Sequence, residues 1–147
     1  MKFTVILNSE REDEVIVYAK EKNSLVKSIE DLVNGADNYF TVQNERGIKR
    51  ITEKEAYCFY IEDKKVYALT EKEKLLLKMR LYSIEEKLSE DFIKINQSTV
   101  INIKKIHRFD VSVTGTLKVV LKNGYTDYVA RRRIKNVKER IGIKHEK

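Results

Sequence analysis

The sequence predicts a mainly β fold with short helices, preceded by a small α/β extension. Three observations lead there. Asn123-Gly124 stands between two apolar runs, residues 117–121 and 125–129, and is the strongest hairpin signal in the chain. A second pair of apolar runs, residues 57–61 and 66–69, flanks the polar stretch Glu62-Asp63-Lys64-Lys65. Helical spacing of apolar residues is confined to short segments.

In chain order, residues 3–7 and 15–18 read as short strands separated by the acidic turn NSEREDE. Residues 23–33 read as a helix. Leu25, Val26, Ile29, Leu32 and Val33 share one face, and Asn34-Gly35 ends it in a left-handed cap. Residues 36–38 mark a boundary between an acidic extension over residues 1–38 and a second domain over residues 39–147. In the second domain residues 39–43 form a strand, Glu45-Arg46-Gly47 turns, and Ile48 and Ile51 follow. Residues 75–77 are a further strand. Leu81, Ile84 and Leu88 place a short helix over residues 80–88. Ile134, Val137 and Ile141 put one apolar stripe on a last helix, which Gly142 closes.

Composition bounds the function. The chain has 147 residues, 41% of them hydrophobic, enough to bury a core without cross-links. Charged residues reach 36% and the formal net charge is +7. That charge is uneven. Residues 1–45 hold 5 basic and 9 acidic residues, a net of −4, and the rest hold 25 and 14, a net of +11. A polyanionic partner therefore belongs to the C-terminal two-thirds. The single cysteine, Cys58, sits in the apolar run AYCFYI and reads as a buried structural thiol. No signal peptide or bilayer-spanning run is evident, so a cytoplasmic location is expected.

Catalytic chemistry is poorly supplied. His107 and His145 are the only histidines, and with one cysteine they make no zinc site. There is no phosphate-cradling loop and no nucleophile elbow. Carboxylates lie in mixed-charge runs such as TEKEK and SIEEK, the pattern of solvated faces. No enzyme activity, cofactor, metal or small-molecule substrate is expected.

Two stretches point elsewhere. Residues 92–106, FIKINQSTVINIKKI, read as strand, polar turn and strand around the island Asn96-Gln97-Ser98-Thr99. Residues 128–141, YVARRRIKNVKERI, open with three arginines and become an amphipathic helix. Glutamine offers one donor and one acceptor, the complement of adenine N6 and N7, and arginine pairs likewise with guanine O6 and N7. Arg133, Lys135 and Lys138 suit phosphates, which hold a protein on DNA without specifying sequence. Positive charge at a helix N-terminus opposes the helix dipole, and a bound phosphate would offset it.

These stretches resemble the LytTR family of bacterial DNA-binding domains. In that family a strand reading roughly F-[IL]-R-[IV]-x-[RKN]-S-x-[IV]-[VI]-N precedes, by a few tens of residues, a strand ending in S-R-R and a last helix. The resemblance spans about residues 46–141. It implies stacked antiparallel sheets that insert loops, not a recognition helix, into successive major grooves. Gln97 stands at the variable base-reading position, and Arg132 matches the second arginine, the other base reader. Lys64 and Lys65 fall in the first hairpin, a third contact region, and are expected to be further base contacts. Phosphate contacts fall to Lys94, where the family has arginine, to Asn96, to the matching Ser98, and to Arg131, Arg133 and Lys135. Phe92 and Asn102 match structural positions. Two residues depart from the pattern. Ala130 replaces a serine, which removes a cap worth about 1 kcal/mol. Thr99 replaces an aromatic, which alters the packing behind the turn.

The implied partner is double-stranded DNA, bound at paired repeats by a homodimer. The implied role is a stand-alone transcription regulator, too short at its N-terminal side for a phospho-acceptor domain. A membrane-protein regulator or a dimer contact could engage the acidic extension. Two rival classes are a basic RNA- or ribosome-associated protein, which needs exposed stacking aromatics, and a protein-interaction adaptor, for which the basic charge is incidental.

Overall fold

The computed structural model describes residues 2–33 and 39–142. The expected boundary at residues 36–38, the Asn34-Gly35 cap and His145 lie outside the described residues. Two units are distinguished, Met1–Ala36 and Asp37–Lys147.

In the first unit the expected helix forms as α1, Ser24–Val33. Asn23 caps it: its side-chain oxygen accepts from the Val26 N–H at 2.9 Å, and its carbonyl accepts from the Lys27 N–H at 3.0 Å. The two expected strands do not form, so the described part of this unit is a helix and a turn, not an α/β unit. The turn between the two runs is present, since Asn8 accepts from the Glu10 N–H at 3.0 Å. No ladder extends it among the described residues. Short β-prone apolar runs make strands only where a face is buried, and two short strands alone are marginal in water. Phe3, Ile6, Leu7 and Tyr18 stay exposed.

The second unit is built from antiparallel strands. β1, Tyr39–Asn44, and β2, Gly47–Thr52, form the first hairpin. β3, Cys58–Glu62, and β4, Lys65–Leu69, form the second, so Lys64 and Lys65 lie in the second hairpin of this unit and not in the first, because residues 39–52 already pair as one. Its tight turn has Asp63 and Lys64 at φ 51° and 65°, the left-handed pair that matches strand twist. β5, Lys74–Leu77, leads to α2, Leu81–Lys87. β6, Phe92–Asn96, and β7, Thr99–Asn102, carry the polar turn. Three further strands follow: β8, Ile106–Val111, β9, Leu117–Leu121, and β10, Thr126–Val129. α3, Ile134–Arg140, ends the described chain.

The strands form two sheets, β2-β1-β5-β4-β3-β7-β6 and β10-β9-β8. Side-chain alternation divides the core between the faces of the large sheet. Phe40, Phe59, Leu75, Phe92 and Val100 face one way, with Leu81 and Ile84 of α2. Cys58, Ile93, Ile95 and Ile101 face the other way, with Leu117, Val119 and Leu121 of the small sheet and Val137 of α3. The expected stacked sheets are thus present, with the large sheet in the middle. Cys58 is fully buried, and burial pushes its thiol pKa far up.

Two details differ from the sequence reading. β7 stops at Asn102, whose side chain accepts from the Lys104 N–H at 3.0 Å and donates to the Ala56 carbonyl at 3.0 Å. That asparagine closes the motif structurally, as expected. β8 is an additional strand. It edges the small sheet with no fully buried residue, so it lacks the clean alternation that announces a strand. His107 lies on it, exposed.

Candidate nucleic-acid interface

Three polar loops project from this frame. The first is the β3–β4 turn. Lys64 and Lys65 are exposed there and make no ion pair among the described residues. Beneath them Glu62 pairs with Lys74 at 2.9 Å, and the Lys74 hydrogen bond holds the Glu62 carboxyl below its ordinary pKa.

The second loop is the β6–β7 turn. Gln97 and Ser98 are exposed at its tip. The Ser98 N–H donates to Asn96 Oδ1 at 2.9 Å, and the Ser98 carbonyl accepts from the Ile61 N–H of β3 at 2.9 Å. The turn is therefore held at its base while its two side chains are free to reach out. Asn96 is engaged internally on both sides of its carboxamide, since Nδ2 donates to the Tyr128 carbonyl at 2.9 Å. Lys94, on the α2 face, is already in an ion pair with Glu85 at 3.3 Å. The Glu85 oxygen is buried and lacks hydrogen-bond geometry, so the contact is purely ionic.

The third loop joins β10 to α3. The three arginines do not open the helix as the sequence suggests. Arg131–Arg133 make a separate 3-10 turn before it. Ala130 occupies the cap position and supplies no side-chain bond, as expected of a residue without a hydroxyl. Arg131, Arg132 and Lys135 are exposed. Arg133 is half-buried, and its Nε is buried without a partner. No acidic residue occupies the first turn of either helical segment, so neither has a local carboxylate at its positive end. α3 is fixed by buried Val137 and by Arg140, whose Nη2 donates to the carbonyls of Glu90 and Phe92, the latter at 3.2 Å.

Backbone bonds link these loops. The Ala130 N–H donates to the Ile95 carbonyl at 2.8 Å, and the Ile61 bond joins the first loop's strand to the second loop. Behind the β6–β7 turn, Thr99 is buried and its hydroxyl donates to Asp127 Oδ2 at 2.6 Å. The Tyr125 hydroxyl donates to the same oxygen at 3.0 Å. Burial raises the Tyr125 pKa, and the Asp127 charge adds to the shift. Nothing local in the sequence signals Asp127 as the partner of Thr99, because the two lie 28 positions apart in the chain. Among the described residues, no cluster of three or more His, Cys, Asp or Glu side chains could hold a metal ion. No helix there is long and apolar enough to cross a membrane.

The LytTr DNA-binding domain family matches this chain over residues 46–142. An HTH-type transcriptional regulator of Staphylococcus aureus (strain NCTC 8325 / PS 47) is 32% identical over 146 residues, covering 97% of this chain and 99% of that protein. The counterpart in strain MRSA252 is 32% identical with the same coverage. A solved LytTr DNA-binding domain from Bacillus cereus superposes with a TM-score of 0.65 at 20% identity, covering 71% of this chain and 96% of its own. Fold and relatives define a DNA-binding regulator of transcription. The chain belongs to the LytTr DNA-binding domain family.

Proposed function

We propose that this protein is a cytoplasmic, non-enzymatic regulator that reads a specific duplex sequence by inserting loops into successive major grooves. One observation supports this reading above the rest. Two exposed groups with base-complementary chemistry, Gln97 and Arg132, stand on loops cross-linked through the protein backbone. In this reading Gln97 and Arg132 contact base edges, and Lys64 and Lys65 reach a third stretch of groove. Ser98, Arg131, Arg133 and Lys135 grip phosphates, and Lys94 joins them by exchanging Glu85 for DNA. Asn96 is given a different role below. Among the described residues no two helices are joined by a short turn, which favours loop readout over a recognition helix. Tyr60, Tyr67 and Tyr125 are half-buried, with Tyr60 stacked on Tyr125 at 5.3 Å, and pack the protein, whereas Tyr39, Tyr82 and Tyr128 are exposed and are where the RNA alternative would have to stack bases.

Selection from a random duplex pool tests the reading, and two variants locate it. Arg132→Ala and Gln97→Ala should each lose ~1–3 kcal/mol on the selected site and relax preference at one base. Lys135→Ala should weaken all sequences alike. Equal losses of specific and non-specific affinity in Arg132→Ala would remove its base-reading role.

The family's paired repeats lead to a homodimer on DNA. The acidic N-terminal segment is proposed as a separable unit, serving the dimer or a membrane-protein partner, because like charges keep it from phosphates within a Debye length of ~8 Å. A chain starting at Tyr39 should fold and select the same motif. Selected sequence and solution mass, compared with those of the full chain, check this. A folded truncation without sequence preference would place the segment in the reading head.

A further inference from the structure

Between the two reading loops runs a short ladder of side-chain and backbone bonds that the family motif does not explain. It joins residues 95–99 to residues 127–130. The Ala130 N–H donates to the Ile95 carbonyl at 2.8 Å. Asn96 Nδ2 donates to the Tyr128 carbonyl at 2.9 Å. The Tyr128 N–H donates to Asp127 Oδ1 at 2.8 Å, and Asp127 Oδ2 accepts from Thr99 Oγ1 at 2.6 Å. The Tyr128 peptide is thus held on both sides, at its carbonyl by Asn96 and at its N–H by Asp127. Three residues further on, the arginine turn begins.

The Asn96 carboxamide can sit in only one orientation. Its oxygen must face the Ser98 N–H and its nitrogen must face the Tyr128 carbonyl, because the flip sets donor against donor and acceptor against acceptor. One side chain therefore closes the turn that carries Gln97 and grips the strand end that feeds Arg131–Arg133. The register shift between Lys94 and Asn96 interrupts the regular β6–β7 pairing where this side chain departs. Thr99, at the position where an aromatic is usual, lies fully buried beside it with its hydroxyl spent on Asp127.

We propose that Asn96 is a positioning residue, not a phosphate contact. With the Thr99–Asp127 bond it sets the spacing at which Gln97 and Arg132 meet their two bases. This rests on the DNA-reading role assigned to those two residues. A bidentate side-chain-to-base contact tolerates little displacement, so loosening one loop against the other should erode sequence preference before it erodes general attraction to DNA.

The test has one arm without DNA and one with it, both on the full chain. In the free protein, Asn96→Ala should speed amide hydrogen exchange at Ser98 and Ala130 about tenfold or more. The core amides of Phe59 and Leu75 should change little. On the selected duplex, Asn96→Ala should weaken binding about tenfold, while affinity for a scrambled duplex stays within about twofold. Arg132→Ala should then cost less in the Asn96→Ala background than in the wild type, the sign of coupling. Thr99→Val, nearly isosteric, should move the same readouts in the same direction and covers the case in which Asn96→Ala does not fold. Unchanged exchange at Ser98 and Ala130 overturns the tie. Equal loss on both duplexes overturns the positioning role and restores a phosphate contact. A wild-type chain without sequence preference overturns both this role and the DNA-reading function, while the exchange arm still reports the tie by itself.

Discussion

Raising salt from about 50 to about 200 mM should weaken binding to a paired DNA site by about a thousandfold. Each phosphate neutralised by a lysine or arginine contributes about −0.9 to the slope of log K against log salt. Arg131 and Lys135 are exposed, Arg133 is half-buried with a donor left unpartnered, and no acidic side chain stands in their first turns. Two protomers bringing these three groups give about six contacts, a slope near −5, and about three decades over a fourfold change in salt. The net of +11 over residues 46–147 makes such attraction expected at the level of the whole domain. Equilibrium binding titrated across salt reads the slope directly. Lys135→Ala should lower its magnitude by about 1 per protomer. A flat salt dependence would remove the polyanion partner altogether, whichever residues were thought to grip it.

What the sequence made legible is what local chemistry dictates. The β3–β4 turn was visible because four polar residues separate two apolar runs, and the structure places Asp63 and Lys64 in the left-handed conformation such a turn needs. Asn123-Gly124 announced the β9–β10 connection for the same reason. The spacing of Leu81, Ile84 and Leu88 gave α2, where Ile84 is fully buried. The failures are non-local. Residues 3–7 and 15–18 are short, apolar, β-prone runs, yet pairing depends on a surface to cover them, which a sequence window does not contain. β8 is an edge strand with three half-buried and three exposed positions and none buried, so its pattern is diluted. The arginine run was visible, but its separation from α3 as a 3-10 turn was not, because three basic residues fit either form. The Asn96–Tyr128 and Thr99–Asp127 bonds join residues 32 and 28 positions apart, and no periodicity marks a single long-range hydrogen bond. The loops that hold the candidate contacts were thus readable in advance, while the ties that hold those loops to one another were not.

Phe59→Ala should be the most damaging single change in the domain, costing ~3–5 kcal/mol of folding stability. Phe59 is fully buried between two other rings, Phe40 at 5.0 Å and Phe92 at 5.8 Å, each tilted by about fifty degrees. Those rings come from β1 and β6, strands far apart in the sheet order, so the cavity would loosen both halves of the large sheet. A loss of this size is a large share of the ~5–15 kcal/mol that holds a typical domain folded. Thermal unfolding should shift by roughly 4–8 °C per kcal/mol for a unit of this length. Arg132→Ala, at an exposed site, should leave the melting temperature nearly unchanged while reducing DNA preference. The two variants thus separate folding from reading, with one connection between them. β3 carries Phe59 into the core and also donates the Ile61 N–H that holds the Ser98 carbonyl. Well below its lowered melting point, Phe59→Ala should therefore keep the same selected motif with reduced affinity. If Phe59→Ala melted within a few degrees of the wild type, the three rings would not be a shared core, and the large sheet would owe its order to something other than this cluster.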